Sequence, residues 1–354
     1  MKKIYTLASL LLVLVVSAQA TPAKVGNKQM SLHKRISSQV SSTAKDSRPD
    51  KLLKACKDGD IKTVKHFLDK HQGRKDFDIN DIRDEYGNTP LILASDAGHM
   101  EIVDRLLQVP GIKVDARRFE TGMTALMYAI VHERTEVVLL LLQHKASVKI
   151  KDYADKTPLM HAARTRNGDL VDFVLSALNK RNQMEQVINA RDEKGRTALI
   201  HACSVPQRYK QRNDGADPSV QDLVLFGNAD VNIQDNNGQT ALMHTAITGD
   251  RPTFFTLMYG LDVSTRPDCN LQDKEGRTAF MLAIISLTEA LNTNASGKEI
   301  TERKKLIVDM LEADKKPNVL LADKHGMTAV DYAKETKDEM IVQMLKIAAA
   351  EQAR

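Results

Sequence analysis

The chain has 354 residues, of which 42% are hydrophobic, so it is long enough to bury a sizeable core. Only 4% of the residues are aromatic and tryptophan is absent, a composition that suits helices packed through small and aliphatic side chains. The formal net charge of +5 comes from residues 21–48, and the nearly neutral remainder argues against a nucleic-acid-binding domain.

Residues 1–20 have the pattern of a secretory signal peptide. Lys2 and Lys3 precede the apolar stretch 7–16, and Ala18-Gln19-Ala20 matches the small-x-small sequence of a cleavage site. The apolar stretch is shorter than the roughly 20 residues needed to span a membrane. We therefore expect an exported chain, periplasmic or secreted, without stable membrane insertion after cleavage. An uncleaved signal anchor is the alternative.

The next segment, 21–48, is rich in lysine, serine, threonine and glutamine and poor in large apolar side chains. Such a composition cannot bury enough apolar surface to offset the entropy of folding. We expect a disordered basic leader that is solvated rather than bound to an anionic surface.

A short phrase, Gly-x-Thr-(Ala or Pro)-Leu, organises the rest of the chain. It recurs with some variation around seven threonines: Thr89, Thr124, Thr157, Thr197, Thr240, Thr278 and Thr328. An aspartate usually lies three residues before the glycine position, as at Asp84, Asp192 and Asp235. Aspartate and glycine favour a tight turn, and threonine caps the helix that follows. Recurrence every 33 to 50 residues predicts a stack of repeated turn–helix units.

The repeats define the predicted domains. A repeat domain occupies 49–346, with about eight units including a cap at each end, and residues 347–354 form a C-terminal tail. Three stretches interrupt the period, near 179–188, 204–219 and 287–301. Insertions of this kind emerge from a repeat stack as surface loops or helix extensions.

The clearest unit, from Asp84 to Leu107, resembles an ankyrin repeat, whose pattern is D-x-x-G-x-T-P-L-H-x-A-A-x-x-G-H-x-x-I-V-x-x-L-L. The stretch 228–235 resembles the link between such repeats, and the resemblance extends over residues 50–346. It implies an all-α repeat fold, an α-solenoid of stacked helix–turn–helix units with short β-turn or hairpin tips. It is specific for the fold and says little about function.

No stretch has the spacing of a known catalytic or cofactor-binding motif. Gly-x-Ser-x-Gly, His-Glu-x-x-His, phosphate-loop and dinucleotide-binding glycine patterns are all missing from the sequence. His161, His201 and His244 share one phase of the repeat, but neighbouring repeats lie about 8–10 Å apart, too far to share a metal ion readily. We interpret these histidines as polar filler between repeats and expect no enzymatic activity, cofactor or metal site.

Two alternatives from other classes remain. An enzyme would need its site in the insertions 204–219 or 287–301, which contain Tyr209, Asp214, Asp217 and Glu289. These residues form no recognisable catalytic constellation. A purely structural spacer is the third hypothesis.

The resemblance implies that a partner protein contacts the turn tips and the exposed face of the first helices. Carried over by position, the binding residues are Glu85, Tyr86, Phe119, Glu120, Tyr153, Lys194, Asn236, Lys274 and Lys324. Aromatic rings on rigid supports are common binding anchors, although each ring here has the alternative of packing against its own turn. We expect a non-catalytic protein–protein interaction scaffold. It is either retained in a bacterial envelope or released as an effector that acts on a host protein.

Overall fold

The computed structural model of the protein describes residues 48–71, 74, 77–205, 218–260 and 266–354. The predicted signal peptide, the predicted leader except its last residue, and most of the insertion 204–219 lie outside the described residues. Within these ranges the chain forms seventeen α-helices, one short 3₁₀ helix (Ile79–Asp81) and no strand, so the all-α prediction is confirmed. None of the helices in these ranges combines the length and hydropathy needed to cross a membrane.

The helices form eight successive pairs, each with a first and a second helix. The pairs are α1 (Arg48–Asp58) and α2 (Ile61–His71); α3 (Pro90–Ala97) and α4 (Met100–Leu107); α5 (Ala125–Val131) and α6 (Thr135–Gln143); α7 (Pro158–Thr165) and α8 (Gly168–Lys180); α10 (Ala198–Cys203) and α11 (Pro218–Leu225); α12 (Ala241–Thr248) and α13 (Arg251–Tyr259); α14 (Ala279–Asn292) and α15 (Gly297–Glu312); α16 (Ala329–Glu335) and α17 (Glu339–Gln352). The short α9 (Met184–Val187) follows α8.

The chain divides into two compact units, where the sequence predicts one continuous domain. The first unit contains α1 to α6 with residues 151–154, and the second contains α7 to α17 with residues 148–150. In the first unit, α1, α3 and α5 pack side by side, and α2, α4 and α6 form a second layer. In the second unit, α7, α10, α12, α14 and α16 form one layer, and α8, α11, α13 and α15 form the other. Each unit is therefore an α-solenoid, as predicted.

The repeated threonine starts the first helix of every pair except the first. Each of the seven motif threonines is an N-cap, and its hydroxyl oxygen accepts a hydrogen bond of 3.2–3.4 Å from the backbone N–H three residues later. Such a cap satisfies one of the helix's unpaired N–H groups and stabilises the helix by about 1 kcal/mol. The threonine thus fixes where each helix begins.

The core lies between the two helix layers and between successive pairs. In the second repeat, Leu91 and Ala94 of α3 and Ile102, Val103 and Leu106 of α4 are at most 1% exposed. Their spacing of three or four residues places them on one face of each helix. An isolated helix pair could not bury these faces, so neighbouring repeats stabilise each other.

Two of the three predicted insertions are largely helical. Around 179–188, α8 continues to Lys180 and α9 follows, while around 287–301 α14 continues to Asn292 and α15 begins at Gly297. Residues 347–352, assigned from the sequence to a C-terminal tail, instead continue α17. Alanine-rich sequence favours a helix here, and the Gln352 side chain fixes its end with a 2.9 Å hydrogen bond to the Pro317 carbonyl.

Candidate functional site

Each repeat from the second onward begins with a tight turn, here called the tip, and in every one of them except the third an aspartate occupies the motif position. In the sixth repeat, Asp235 Oδ1 accepts hydrogen bonds from the backbone N–H groups of Asn237 and Gln239 at 2.8 and 3.0 Å. The same pair of bonds is made by Asp84, Asp192, Asp273 and Asp323. Gly238 completes the turn with φ +78°, a left-handed conformation that glycine adopts without steric cost.

Backbone hydrogen bonds join successive tips within each unit. In the first unit, the Phe119 N–H donates to the Tyr86 carbonyl at 3.2 Å, and the Tyr153 N–H donates to the Thr121 carbonyl at 2.9 Å. In the second unit three such bonds, each of 2.9 Å, run from Asn236 to Lys194, from Lys274 to Asn237 and from Lys324 to Glu275. Consecutive tips are therefore fixed to one another rather than hanging as independent loops.

A second set of bonds between tips comes from the side chain just before the motif aspartate position. Gln234 Nε2 donates to the Gly238 carbonyl of its own tip at 2.7 Å and to the Gln272 carbonyl of the next tip at 2.9 Å. Equivalent pairs of bonds are made by Arg83, Arg117, Arg191 and Gln272. Sequence reasoning missed this column, although Arg or Gln precedes the motif position in five repeats.

Histidine and tyrosine rings hold the other oxygen of the motif aspartate. The pairs are His201 Nε2 and Asp192 Oδ2 (2.9 Å), His244 Nε2 and Asp235 Oδ2 (3.0 Å), and the Tyr332 hydroxyl and Asp323 Oδ2 (2.5 Å). The histidines were predicted as polar filler between repeats; His201 and His244 instead fix the turn of their own repeat. Each ring projects from the first helix of its repeat, so its bond to the motif aspartate joins that helix to the tip.

Two of the aromatic residues predicted for binding lie between tips. A Cβ atom added to Gly87 would clash with the ring of Phe119, and the Arg83 guanidinium lies 5.2 Å from that ring's centre. Tyr153 packs in the same way on Gly122. Both rings are half-buried and fill the space over the preceding glycine, so they support the tips from within.

Tyr86 differs from these two rings because it is 45% exposed. Arg118 replaces the motif aspartate in the next repeat; its guanidinium lies 5.5 Å from the Tyr86 ring centre and pairs with Glu120 at 3.1 Å. The Glu85 charge and its hydrogen bond to the hydroxyl raise the pKa of Tyr86, with a further contribution from Glu120. Tyr86 is thus an exposed aromatic ring with the Glu85 carboxylate and the Arg118 guanidinium beside it.

A family model described as ankyrin repeats matches residues 52–152 and 209–303, which is more than half of the chain. The chain belongs to the ankyrin-repeat family. The tip, its threonine cap and the paired helices are therefore the parts of an ankyrin repeat, and ankyrin repeats are protein-interaction scaffolds.

Curated relatives share the repeats over part of their length. A probable 26S proteasome regulatory subunit of Saccharomyces cerevisiae is 30% identical over 164 residues, covering 46% of this chain and 65% of that protein. A probable E3 ubiquitin-protein ligase of Oryza sativa subsp. japonica is 28% identical over 187 residues, covering 51% of this chain and 36% of the ligase. The chain spans less than two thirds of the length of these relatives.

A solved structure with a similar chain is the complex of a predatory endopeptidase from Bdellovibrio bacteriovorus with an immunity protein. The match has 27% identity and a TM-score of 0.46, and it covers 57% of this chain and 94% of that chain.

The remaining residues predicted for binding are exposed side chains of ankyrin tips. Glu85 and Glu120 belong to the first unit, and the second unit contributes Lys194, Asn236, Lys274 and Lys324. Within each unit these residues follow the hydrogen-bonded edge of the tips, and each lies in a different tip. No group of three or more His, Cys, Asp or Glu side chains within the described ranges is placed to hold a metal ion.

The buried His201–Asp192 pair gives one tip a distinct charge state. His201 is 2% exposed, and Arg196 Nη2 lies 3.1 Å from the same Asp192 oxygen. Burial, together with the Arg196 charge, lowers the pKa of His201 to about 4. Burial alone would raise the pKa of Asp192, but the Arg196 backbone amide and the neighbouring basic groups bring it below its ordinary value. At neutral pH a neutral His201 therefore donates from Nε2 to an ionised Asp192.

Acidification is expected to destabilise the second unit through His201. The unfolded chain binds a proton at this residue below a pKa of 6.5, whereas the folded chain does so only near pH 4. The free energy of unfolding therefore falls as the pH drops through this window, by on the order of 3 kcal/mol at most. His201→Gln keeps an N–H donor but does not titrate, so it should lose less stability than the parent between pH 7.5 and pH 4.5. Urea midpoints at the two pH values test this, and equal losses in both proteins would contradict it.

Proposed function

We propose that this ankyrin-repeat chain is an exported, non-catalytic scaffold that binds another protein through its tips and the exposed face of its first helices. The observation that carries the proposal is the double set of hydrogen bonds between successive tips. A surface that is fixed before binding loses little conformational entropy on association. Rigid recognition of a folded partner is the function that such a surface suits best.

The first unit has the composition of a binding surface. Tyr86 is an exposed aromatic ring between Glu85 and Glu120, and Val131 at the end of α5 is 40% exposed. Binding hot spots are enriched in aromatic residues held by rigid surroundings. Arg118, which lies under Tyr86 and is fixed by Glu120, supplies that support.

Export is supported by the sequence of residues 1–20, with its basic start, short apolar stretch and Ala18-Gln19-Ala20 cleavage pattern. Two destinations follow from it. The chain either remains in a bacterial envelope, where it supports or restrains an envelope protein, or it is released and engages a host protein. Cell fractionation separates them, since periplasmic recovery favours the first and recovery from medium or host cells favours the second.

The enzymatic alternative has little support. The insertion near 287–301 is mostly a continuation of two helices, and its Glu289 lies on the first of them. The ligases among the relatives match this chain over only 36% and 29% of their own lengths, so their activity does not transfer with the repeats. The other insertion lies mainly outside the described residues.

The tips are tested by affinity capture with exposed residues changed. Tyr86→Ala combined with Glu120→Gln should reduce recovery of the partner from the native source at least tenfold, because it removes an exposed ring and an exposed charge from the proposed binding surface. The backbone hydrogen bonds between tips remain, so the surface keeps its shape. Met100→Ala is the matched control, since Met100 is 51% exposed in the same repeat but lies on α4. Crosslinking with quantitative mass spectrometry measures recovery, and thermal melting checks that all variants fold. Equal loss in both variants, or loss in neither, would refute the tip assignment.

A further inference from the structure

Two asparagines in this chain are followed directly by a glycine, Asn167 before Gly168 and Asn237 before Gly238. In such a pair the backbone nitrogen of the glycine can attack the carbon of the asparagine side-chain amide. Glycine has no side chain to hinder this attack, and its backbone turns freely. Asn-Gly pairs are therefore the asparagine sites most prone to spontaneous deamidation, and the surrounding structure decides whether the reaction proceeds.

Asn237 is the third residue of the sixth-repeat tip, and its side chain is exposed. Within the described ranges this side chain makes no hydrogen bond. The neighbouring Asn236 differs, because its amide donates to the Glu193 carbonyl at 3.0 Å. The Asn237 amide can therefore rotate towards the backbone of Gly238 without breaking a bond of its own.

The closed tip keeps the attacking nitrogen occupied. The Gly238 N–H donates to the Asp235 carbonyl at 2.9 Å, and the Gly238 carbonyl accepts from Gln234 Nε2 at 2.7 Å. Both bonds hold Gly238 in the turn, so its nitrogen reaches the Asn237 side chain only when the tip opens. Opening a surface turn requires far less free energy than unfolding the whole unit. Deamidation of Asn237 should therefore proceed at a rate that the opening of this tip sets.

Asn167 lies in a setting that opens less readily. It is half-buried at the start of α8, and its carbonyl accepts the Val171 N–H at 3.2 Å. Gly168 is the first residue of that 13-residue helix, and an added Cβ atom on it would lie 2.5 Å from Pro218 Cβ. Attack by the Gly168 nitrogen thus requires the first turn of α8 to unwind beside the start of α11. Asn237 is consequently the more reactive of the two sites.

We propose that Asn237 is a site of spontaneous deamidation whose rate is controlled by the opening of its tip. The Gly238 nitrogen loses its proton to hydroxide and forms a bond to Asn237 Cγ, and the side-chain nitrogen takes a proton from water and leaves as ammonia. Water then opens the resulting succinimide ring at one of its two carbonyls. One opening gives aspartate, and the other gives isoaspartate, in which the backbone continues through the former side chain. Hydroxide and water are the only co-reactants.

The products disturb the contact with the seventh-repeat tip. In the parent, the Asn237 carbonyl accepts the Lys274 N–H at 2.9 Å. Isoaspartate turns this carbonyl into a free carboxylate and lengthens the backbone by one carbon atom. Gly238 lies so close to the next tip that an added Cβ atom would be 2.8 Å from the Lys274 nitrogen, so the longer backbone cannot keep the present packing. Either product also adds a negative charge, so the reaction changes the tip irreversibly, whether or not a partner binds there.

Peptide mapping by mass spectrometry tests the proposal on the purified chain after incubation at mildly alkaline pH. It measures, at each asparagine, the replacement of the side-chain amino group by a hydroxyl. Asn237 should react at least tenfold faster than Asn167 and more slowly than the same asparagine in a free peptide of residues 230–244. Gln234→Ala removes both bonds of that side chain and should speed the reaction at Asn237 severalfold, while Asn167 keeps its rate. Arg83→Ala removes the equivalent bonds in the first unit and is the control, because it should leave both rates unchanged.

A second measurement follows the consequence for the tips. The incubated parent should contain isoaspartate in place of Asn237, detected by isoaspartyl methyltransferase labelling, and its Lys274 amide should exchange hydrogen faster than in fresh protein. Asn237→Gln forms the corresponding ring far more slowly, so it should keep slow exchange after the same incubation. Equal rates at Asn167 and Asn237, or reaction at Asn167 alone, would overturn the assignment of the site. A rate at Asn237 that Gln234→Ala leaves unchanged would overturn control by tip opening. Global unfolding of that variant would accelerate Asn167 as well, and the comparison of the two asparagines in the parent then decides the proposal.

Discussion

Replacing Gly238 by alanine is expected to lower the free energy of unfolding by about 2–5 kcal/mol, the sum of left-handed backbone strain and a steric clash. Gly238 has φ +78°, and a Cβ atom there would lie 2.8 Å from the Lys274 nitrogen and 3.0 Å from two backbone carbons of Asp273. These atoms belong to the backbone of the next tip, which its own hydrogen bonds hold in place. The clash cannot be relieved by rotating a side chain.

Gly326 is the matched control for this substitution. It occupies the same position in the last tip with φ +77°, but nothing lies within 4 Å of the added Cβ atom. Gly326→Ala therefore adds only the backbone strain, about 1–2 kcal/mol. Urea unfolding of both variants measures the difference. Equal losses would mean that the backbone of the next tip moves aside for the added methyl group, which would contradict a rigid contact between tips.

Arg166→Met is expected to destabilise the second unit by about 3–5 kcal/mol, because it leaves a buried carboxylate without its charge partner. Arg166, in the turn between α7 and α8, reaches past the fifth repeat to Asp250 in the sixth. Its Nη1 atom lies 2.5 Å from Asp250 Oδ2 and 2.7 Å from the Val205 carbonyl, and its Nη2 atom lies 2.9 Å from Thr253 Oγ1. The Arg166 and Asp250 side chains are 8% and 2% exposed.

A double variant separates the charge effect from lost packing. Asp250→Asn removes the buried charge and keeps an oxygen that can cap α13, so Arg166→Met with Asp250→Asn should be clearly more stable than the sum of the single changes predicts. Arg303→Met is the control: Arg303 makes a comparable bond to the Ile247 carbonyl but pairs with Glu299, which is 48% exposed. The free energy of unfolding of the Arg303→Met variant should fall by less than about 1 kcal/mol. The interpretation would be contradicted if the stability losses of Arg166→Met and Asp250→Asn simply added in the double variant. It would also be contradicted if Arg166→Met and Arg303→Met lost equal stability.

Much of the fold is determined by residues that lie close together in the sequence. The threonine cap and the Asp–Gly turn depend on residues within six positions of one another, and they recur in register, so the helix starts and the repeat architecture could be predicted. The shared position of the histidine rings was visible as a pattern, but their bonds to the motif aspartates were missed. His201 and Asp192, His244 and Asp235, and Tyr332 and Asp323 are each nine residues apart. That constant spacing was the available signal.

Contacts between repeats were harder to predict. Arg166 and Asp250 are 84 residues apart, and they meet only because the turns of three successive repeats lie close together in the stack. The roles of Phe119 and Tyr153 likewise depend on the glycine of the preceding tip, which becomes a neighbour only after stacking. Phe226, directly after α11, is 72% exposed, and this could not be predicted because apolar runs at the end of a second helix are usually buried.

Hydrogen–deuterium exchange of the free protein tests the central claim, that the tips form a rigid surface before any partner binds. The amides to follow are those that donate from one tip to another: Phe119, Tyr153, Asn236, Lys274 and Lys324. These amides should exchange as slowly as amides in the middle of the neighbouring helices, because opening one tip requires breaking its bonds to the next. Exchange at the rate of an unstructured peptide would contradict the claim and would make the tips flexible loops that become ordered only on binding.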